Sequence, residues 1–275
     1  MTKSVVPLVL FILNIIPLFY FSSKGIESSN FYFLLLLMAP ALLFLIWYFL
    51  GGKLGEIYPV IPIREKNFQS SQLFFLGVFI VVFLRLVGFV TSKVMSPFFL
   101  FSQKFYQAYV VGESRFMEFF TVAFSAGNGE EWLFCFLFVA AGMLVGYWLR
   151  KAWGLEFGKK GNYYFHITVG SLFSIIPFVI FHTLNPSYTT TSAFVLAGLF
   201  RFFMNILVWG VFYSLSFSIG FHIANNALTL SSSVLIGAFT SPLGLVLVLF
   251  FGTMFWNAIK HIDEADKTFG LGEVW

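Results

Sequence analysis

Seven polar residues stand inside otherwise apolar runs of the chain: Arg85, Glu130, Glu131, His182, Arg201, His222 and Asn226. Ionisable groups in hydrocarbon cost on the order of 2.5 to 3.5 kcal/mol each on insertion scales, so each needs a reason to be there. A carboxylate and an imidazole sharing a dehydrated pocket can take a proton from water. A second imidazole and a carboxamide can donate hydrogen bonds to the negative oxygen of a tetrahedral intermediate. Hydrolysis of a peptide bond requires both halves. The acids, the two imidazoles and the carboxamide of the set could together supply both halves. The alternative is zinc held by Glu130, His182 and His222, with water in the open position. The HExxH helix of soluble zinc peptidases is absent, which favours the metal-free reading and no cofactor.

Helical spacing sorts these groups further. Phe178 and His182 are four residues apart, as are His222 and Asn226, so each pair shares one helix face and each helix aims one imidazole inward. Adjacent Glu130 and Glu131 differ by about 100° around a helix, so the two are expected to divide their roles. One is reactive, and the other packs against a counter-charge supplied by Arg85 or Arg201. With a rise of about 1.5 Å per residue, Glu130, His182, His222 and Asn226 all fall in the same half of a bilayer. His166 and His261 fall at loop edges and read as surface or interface residues.

The elements that would carry these residues follow from composition. Of 275 residues, 59% are hydrophobic, 41 are Phe and only 10% are charged, against roughly 25% charged in soluble domains. That excludes a soluble protein and leaves an all-α polytopic membrane protein, since a lipid-exposed backbone must satisfy its own hydrogen bonds. Apolar runs occur at 4–23, 31–50, 73–92, 116–149, 163–185, 192–213, 214–230 and 233–257, which is about eight transmembrane helices. The run 116–149 is too long for one ordinary span, and a break is expected at Gly127-Asn128-Gly129. Lys3 ahead of the first run has the look of a signal peptide, but Pro7, Asn14 and Pro17 interrupt it and no small-x-small site follows, so the segment reads as a span. Ten Lys and Arg fall in the loops of one side and four in those of the other, which predicts a multi-pass protein with both termini cytoplasmic. The net charge of +4 is spread over loops, so no nucleic-acid partner is expected. A single cysteine, Cys135, excludes an intrachain disulfide framework, and it reads as packing.

Taken singly, these residues have plainer readings. His182 and Asn226 would be interhelical hydrogen-bonding residues, Glu131 half of a buried ion pair, and Glu130 a proton or ion site of a transporter. A transporter predicts paired broken helices in two related halves, and no such repeat is seen. The joint pattern favours hydrolysis.

Three short motifs then carry a resemblance. Glu130-Glu131-Trp132-Leu133-Phe134-Cys135, Phe178 to His182, and His222 to Asn226 resemble, in order, the EExxxR, FxxxH and HxxxN motifs of the CPBP family. These are the Abi or CAAX-protease-like intramembrane peptidases. Ser214-Leu215 also resembles the start of that family's last motif helix. The resemblance covers about residues 116–230. It implies an N-terminal set of helices over 1–112, a protease core over 113–257 and a short cytoplasmic tail over 258–275. It further implies a glutamate-type endopeptidase acting on a membrane-associated peptide or protein, with Glu130 and His182 activating water and His222 and Asn226 forming the oxyanion site. One departure stands out: Cys135 replaces the Arg of EExxxR, so Glu131 needs a partner from elsewhere in the chain. A scaffold that keeps the fold without the chemistry is the competing reading.

Overall fold

A computed structural model describes residues 6–24, 31–50, 52, 70–90, 119–183, 190–239 and 253. The described residues form helices and their connecting turns, with no strand among them. These helices are α1 (Val6–Lys24), α2 (Phe31–Phe49), α3 (Ser70–Val90), α4 (119–152), α5 (Gly158–His182), α6 (Thr191–Phe212) and α7 (Ser216–Phe239). Three stretches are long and apolar enough to cross a membrane: Ala123–Ala152, Gly158–His182 and Thr191–Phe212. Most of the expected eighth span (240–252 and 254–257), the tail with His261, and most of the 51–72 loop lie outside the described residues.

Two boundaries differ from the expectation. Helix α4 runs through Gly127-Asn128-Gly129 without a break. The physical reason is packing. A Cβ at Gly127 would meet the Ile223 amide nitrogen at 2.7 Å, and one at Gly129 would meet Leu18 Cβ at 2.9 Å. The glycines thus admit neighbouring helices instead of ending their own. Likewise α7 continues through Ser231 and Ser232, where the sequence suggested two spans, up to Phe239. Serines are tolerated inside a membrane helix because their hydroxyls can bond back to the preceding turn.

The core is aromatic. Trp132 is wholly buried and meets Phe44 at 4.6 Å, Tyr48 at 5.0 Å and Phe136 at 5.7 Å between ring centroids, all edge-on. Edge-to-face pairs gain electrostatic attraction beyond area burial, and here they join α2 to α4. A polar thread runs beside them: Asn128 donates to Asn14 Oδ1 (2.7 Å) and accepts from Trp132 Nε1 (3.0 Å). It ties α1 to the turn of α4 that carries Glu130.

Helix α7, which bears His222 and Asn226, is pressed onto α3 by two glycines. A Cβ on Gly77 would collide with the Phe217 carbonyl oxygen, and one on Gly220 with that of Phe74. Gly220→Ala is therefore expected to cost about 1 to 3 kcal/mol, the usual penalty of overpacking. An unchanged melting temperature in detergent would contradict this crossing. At the start of α7 the chain turns at Tyr213 in the left-handed region (φ 51°), with its ring stacked 6.2 Å from Tyr163. Ser214 Oγ then accepts the Ser216 amide at 3.3 Å. A bulky residue in that region is strained and persists only where its surroundings hold it.

The α4–α5 hairpin closes over 153–157. Arg150 is buried there and donates to Glu156 (2.8 Å), the Leu155 carbonyl (3.2 Å) and His166 Nε2 (3.3 Å). His166, expected at the surface or an interface, is instead fully enclosed, because the guanidinium drawn into the hairpin requires an acceptor. Hydrogen bonds from Asn162 and Arg150 hold the Glu156 carboxyl below the usual carboxylate range. Their contribution is present above the ordinary carboxylate value and is lost as pH falls through the lowered one.

Candidate functional site

The site begins at the junction of two helical forms. Helix α4 passes from a regular turn, Gly127–Glu130, into a π-helical stretch, Glu131–Leu137. Such stretches are rare and recur at functional positions. Within it the Phe134 carbonyl accepts Ser174 Oγ from α5 (2.6 Å), and the Cys135 carbonyl accepts Trp209 Nε1 from α6 (2.6 Å). Three helices are thereby bound together at the level of the two glutamates.

Glu131 forms a two-pronged ion pair with Arg201, Nη1 to Oε2 and Nη2 to Oε1, both at 2.8 Å. Both side chains are 1 to 2% exposed. The planar fork of a guanidinium matches a carboxylate in this way, and a lysine could not reproduce it. The Arg201 guanidinium carbon also lies 4.5 Å from the centre of the Phe178 ring. Of the two candidate counter-charges, Arg201 is thus in contact with Glu131. Arg85 lies on α3, and its side chain is outside the described residues. Cys135, which stands where the resembling motif has Arg, is buried. The counter-charge of Glu131 is supplied across the helix interface by α6.

Glu130 is 4% exposed, and its Oε2 has no hydrogen-bond partner among the described residues. Two imidazole nitrogens face that oxygen: His182 Nε2 at 3.7 Å and His222 Nε2 at 3.8 Å. Both distances exceed a direct hydrogen bond. Each ring is oriented from its far side. His182 Nδ1 lies 2.8 Å from the Phe178 carbonyl, and His222 Nδ1 lies 2.8 Å from Glu131 Oε1. A carbonyl and an ion-paired carboxylate only accept, so both Nδ1 atoms must donate. In the neutral ring this leaves each Nε2 with its lone pair toward Glu130. The Phe178 ring, 4.1 Å from that of His182 between centroids, packs against the imidazole from within the same helical turn.

The expected division between the glutamates holds for Arg201 but not for His222, whose ring reaches both carboxylates. The wider π-helical turn and the close approach of α7 at Gly127 allow one imidazole to span two adjacent acids. Asn226 lies one turn beyond His222, is 9% exposed, and its Nδ2 has no hydrogen-bond partner among the described residues. Side-chain exposure is 19% at His222 and 7% at His182. His222 is therefore the more open flank.

Sequence reasoning did not find Ser174, Trp209 or Asn128, which bind the helices around the glutamates. Each reads as an ordinary residue of an apolar span, and only its partner gives it a role. Among the described residues no three His, Cys, Asp or Glu side chains are set to hold a metal ion as they stand. Tetrahedral zinc with bonds of about 2.1 Å would need its N and O ligands roughly 3.4 Å apart, so Glu130 and the two imidazoles would have to close in slightly. No protein-family model, curated protein or solved structure matches the chain.

Proposed function

We propose that the protein is an intramembrane endopeptidase, similar to the CPBP or CAAX-protease-like peptidases, with about eight crossings and both termini cytoplasmic. The observation that carries this reading is Glu130 Oε2, a buried acceptor with no hydrogen-bond partner among the described residues, facing Nε2 of both His182 and His222. Glu130 accepts a proton from water as the water oxygen attacks the scissile carbonyl carbon, and His182 Nε2 accepts the other water hydrogen to orient it. His222 acts as the imidazolium, since Nδ1–H is committed to Glu131 and only an added proton on Nε2 makes it a donor to the oxyanion. Asn226 Nδ2 is the second donor. The proton held by Glu130 then passes to the leaving amine. In this state Arg201 neutralises Glu131 and the His222 imidazolium neutralises Glu130, so the pocket carries no net charge.

A second reading has its own support. Histidines that bind metal usually donate their far nitrogen to a carbonyl or carboxylate, and both imidazoles do so here. Zinc, where bound, would act as a Lewis acid at this point, held by Glu130, His182 and His222.

The test is cleavage of membrane-tethered peptides, prenylated and unprenylated, by the purified protein with and without a strong chelator. Cleavage that survives chelation is the expected result. Loss on chelation, reversed by zinc, would transfer the chemistry to the metal. No cleavage of any substrate by folded protein would leave a scaffold.

A further inference from the structure

The turn between α4 and α5 carries four basic side chains and one acidic one. Its charged side chains are Arg150, Lys151, Glu156, Lys159 and Lys160. Arg150 is bound to Glu156 and His166, and Asn162 accepts the Phe157 amide while donating to Glu156 at 3.5 Å. Arg150 and Glu156 cancel, and the turn is cross-braced by their contacts. Lys151, Lys159 and Lys160 are all exposed and stand as three positive charges on one rigid end of the hairpin.

Exposed aromatic rings accompany them: Trp148 (69%), Trp153 (66%), Phe157 (51%) and Tyr164 (36%). Trp148 precedes Lys151 by three residues on α4, and Lys160 precedes Tyr164 by four on α5. On each helix a lysine thus shares a face with an aromatic ring and lies about one turn nearer the helix end, roughly 4.5 to 6 Å along the axis. Indole and phenol rings settle at the boundary between hydrocarbon and headgroups. A lysine one turn outward stands at the depth of the lipid phosphates, and its stem can cover the apolar surface below.

We propose that this turn is a docking site for acidic phospholipid headgroups of the surrounding bilayer, with Lys151, Lys159 and Lys160 as the charge and Trp148, Trp153 and Tyr164 as the depth anchors. A zwitterionic headgroup would bring its own cation against three lysines, whereas a net negative one is complementary. Bracing by Arg150 and Asn162 means that the lysine positions are set before lipid arrives, which lowers the ordering cost of binding.

The experiment uses full-length protein in vesicles of phosphatidylcholine and phosphatidylglycerol, with one lipid or the other brominated. Quenching of tryptophan fluorescence reports the relative affinity of the two lipids for the protein surface. A lysine near an acidic surface is worth about a fivefold factor. The triple variant K151Q/K159Q/K160Q is expected to lose at least about tenfold of the preference for phosphatidylglycerol. The triple Lys→Arg variant should retain it, and added salt should weaken it in the wild type. Equal preference in the wild type and the Gln variant would overturn the proposal. So would displacement of phosphatidylglycerol by millimolar inorganic phosphate, which would assign the lysines to a soluble anion. No arm depends on peptide cleavage, so failure here is separate from failure of the peptidase reading.

Discussion

Glu130→Gln is expected to abolish peptide cleavage, by a factor on the order of 10² to 10⁴, while leaving the melting temperature unchanged or raised. The two halves of this expectation come from the same geometry. Oε2 of Glu130 is buried with no hydrogen-bond partner among the described residues, so the fold loses little when its charge and the balancing proton of His222 leave together. An amide in its place keeps the shape and adds a donor toward the lone pairs of His182 and His222, which face it at 3.7 and 3.8 Å. What the amide cannot do is accept a proton from water. Paired measurement of turnover and thermal unfolding separates this from a structural role. Activity within tenfold of wild type, or a large fall in melting temperature, would remove Glu130 from the chemistry.

Arg201→Met has the larger expected effect on stability, about 3 to 5 kcal/mol. Glu131 and Arg201 are almost wholly enclosed, and each satisfies the other through two bonds of 2.8 Å. Removal of the guanidinium leaves a buried carboxylate whose remaining hydrogen-bond partner among the described residues is His222. A fall in melting temperature on the order of 10 °C is expected. The double variant Arg201→Met/Glu131→Gln should recover most of it, because the stranded charge is gone. Cleavage should stay low in the double variant, since the amide that replaces the Glu131 carboxylate can still accept from His222 but carries no charge to stabilise its imidazolium. If the double variant melts no higher than the single one, the loss is one of packing around Phe178 and not of charge pairing.

The local part of this arrangement was legible in the chain. Hydropathy is a property of neighbours in sequence, so the apolar runs that become α1 to α6 could be read directly, and lipid requires that they be helical. The spacing of Phe178 to His182 and of His222 to Asn226 is likewise set within one helix, and it correctly put each pair on one face. Burial of Glu131 against an arginine followed from the cost of a lone charge in hydrocarbon. Which arginine answers it did not follow, since Arg85 and Arg201 have equal claims until the rotation of α6 is known.

What the tertiary structure decided depends on how closely helices approach and how they are turned about their axes. Gly127 and Gly129 looked like a break because glycine weakens an isolated helix; in the bundle they admit Ile223 and Leu18. His166 looked exposed because it follows a basic loop, yet the hairpin folds Arg150 inward onto it. His222 contacts both glutamates because a π-helical turn in α4 meets α7 at the point where glycine removes the side chain between them. Such contacts join residues 91 positions apart. Their geometry is a sum of small rotations and translations along three helices, and no stretch of sequence short enough to have its own periodicity contains that sum.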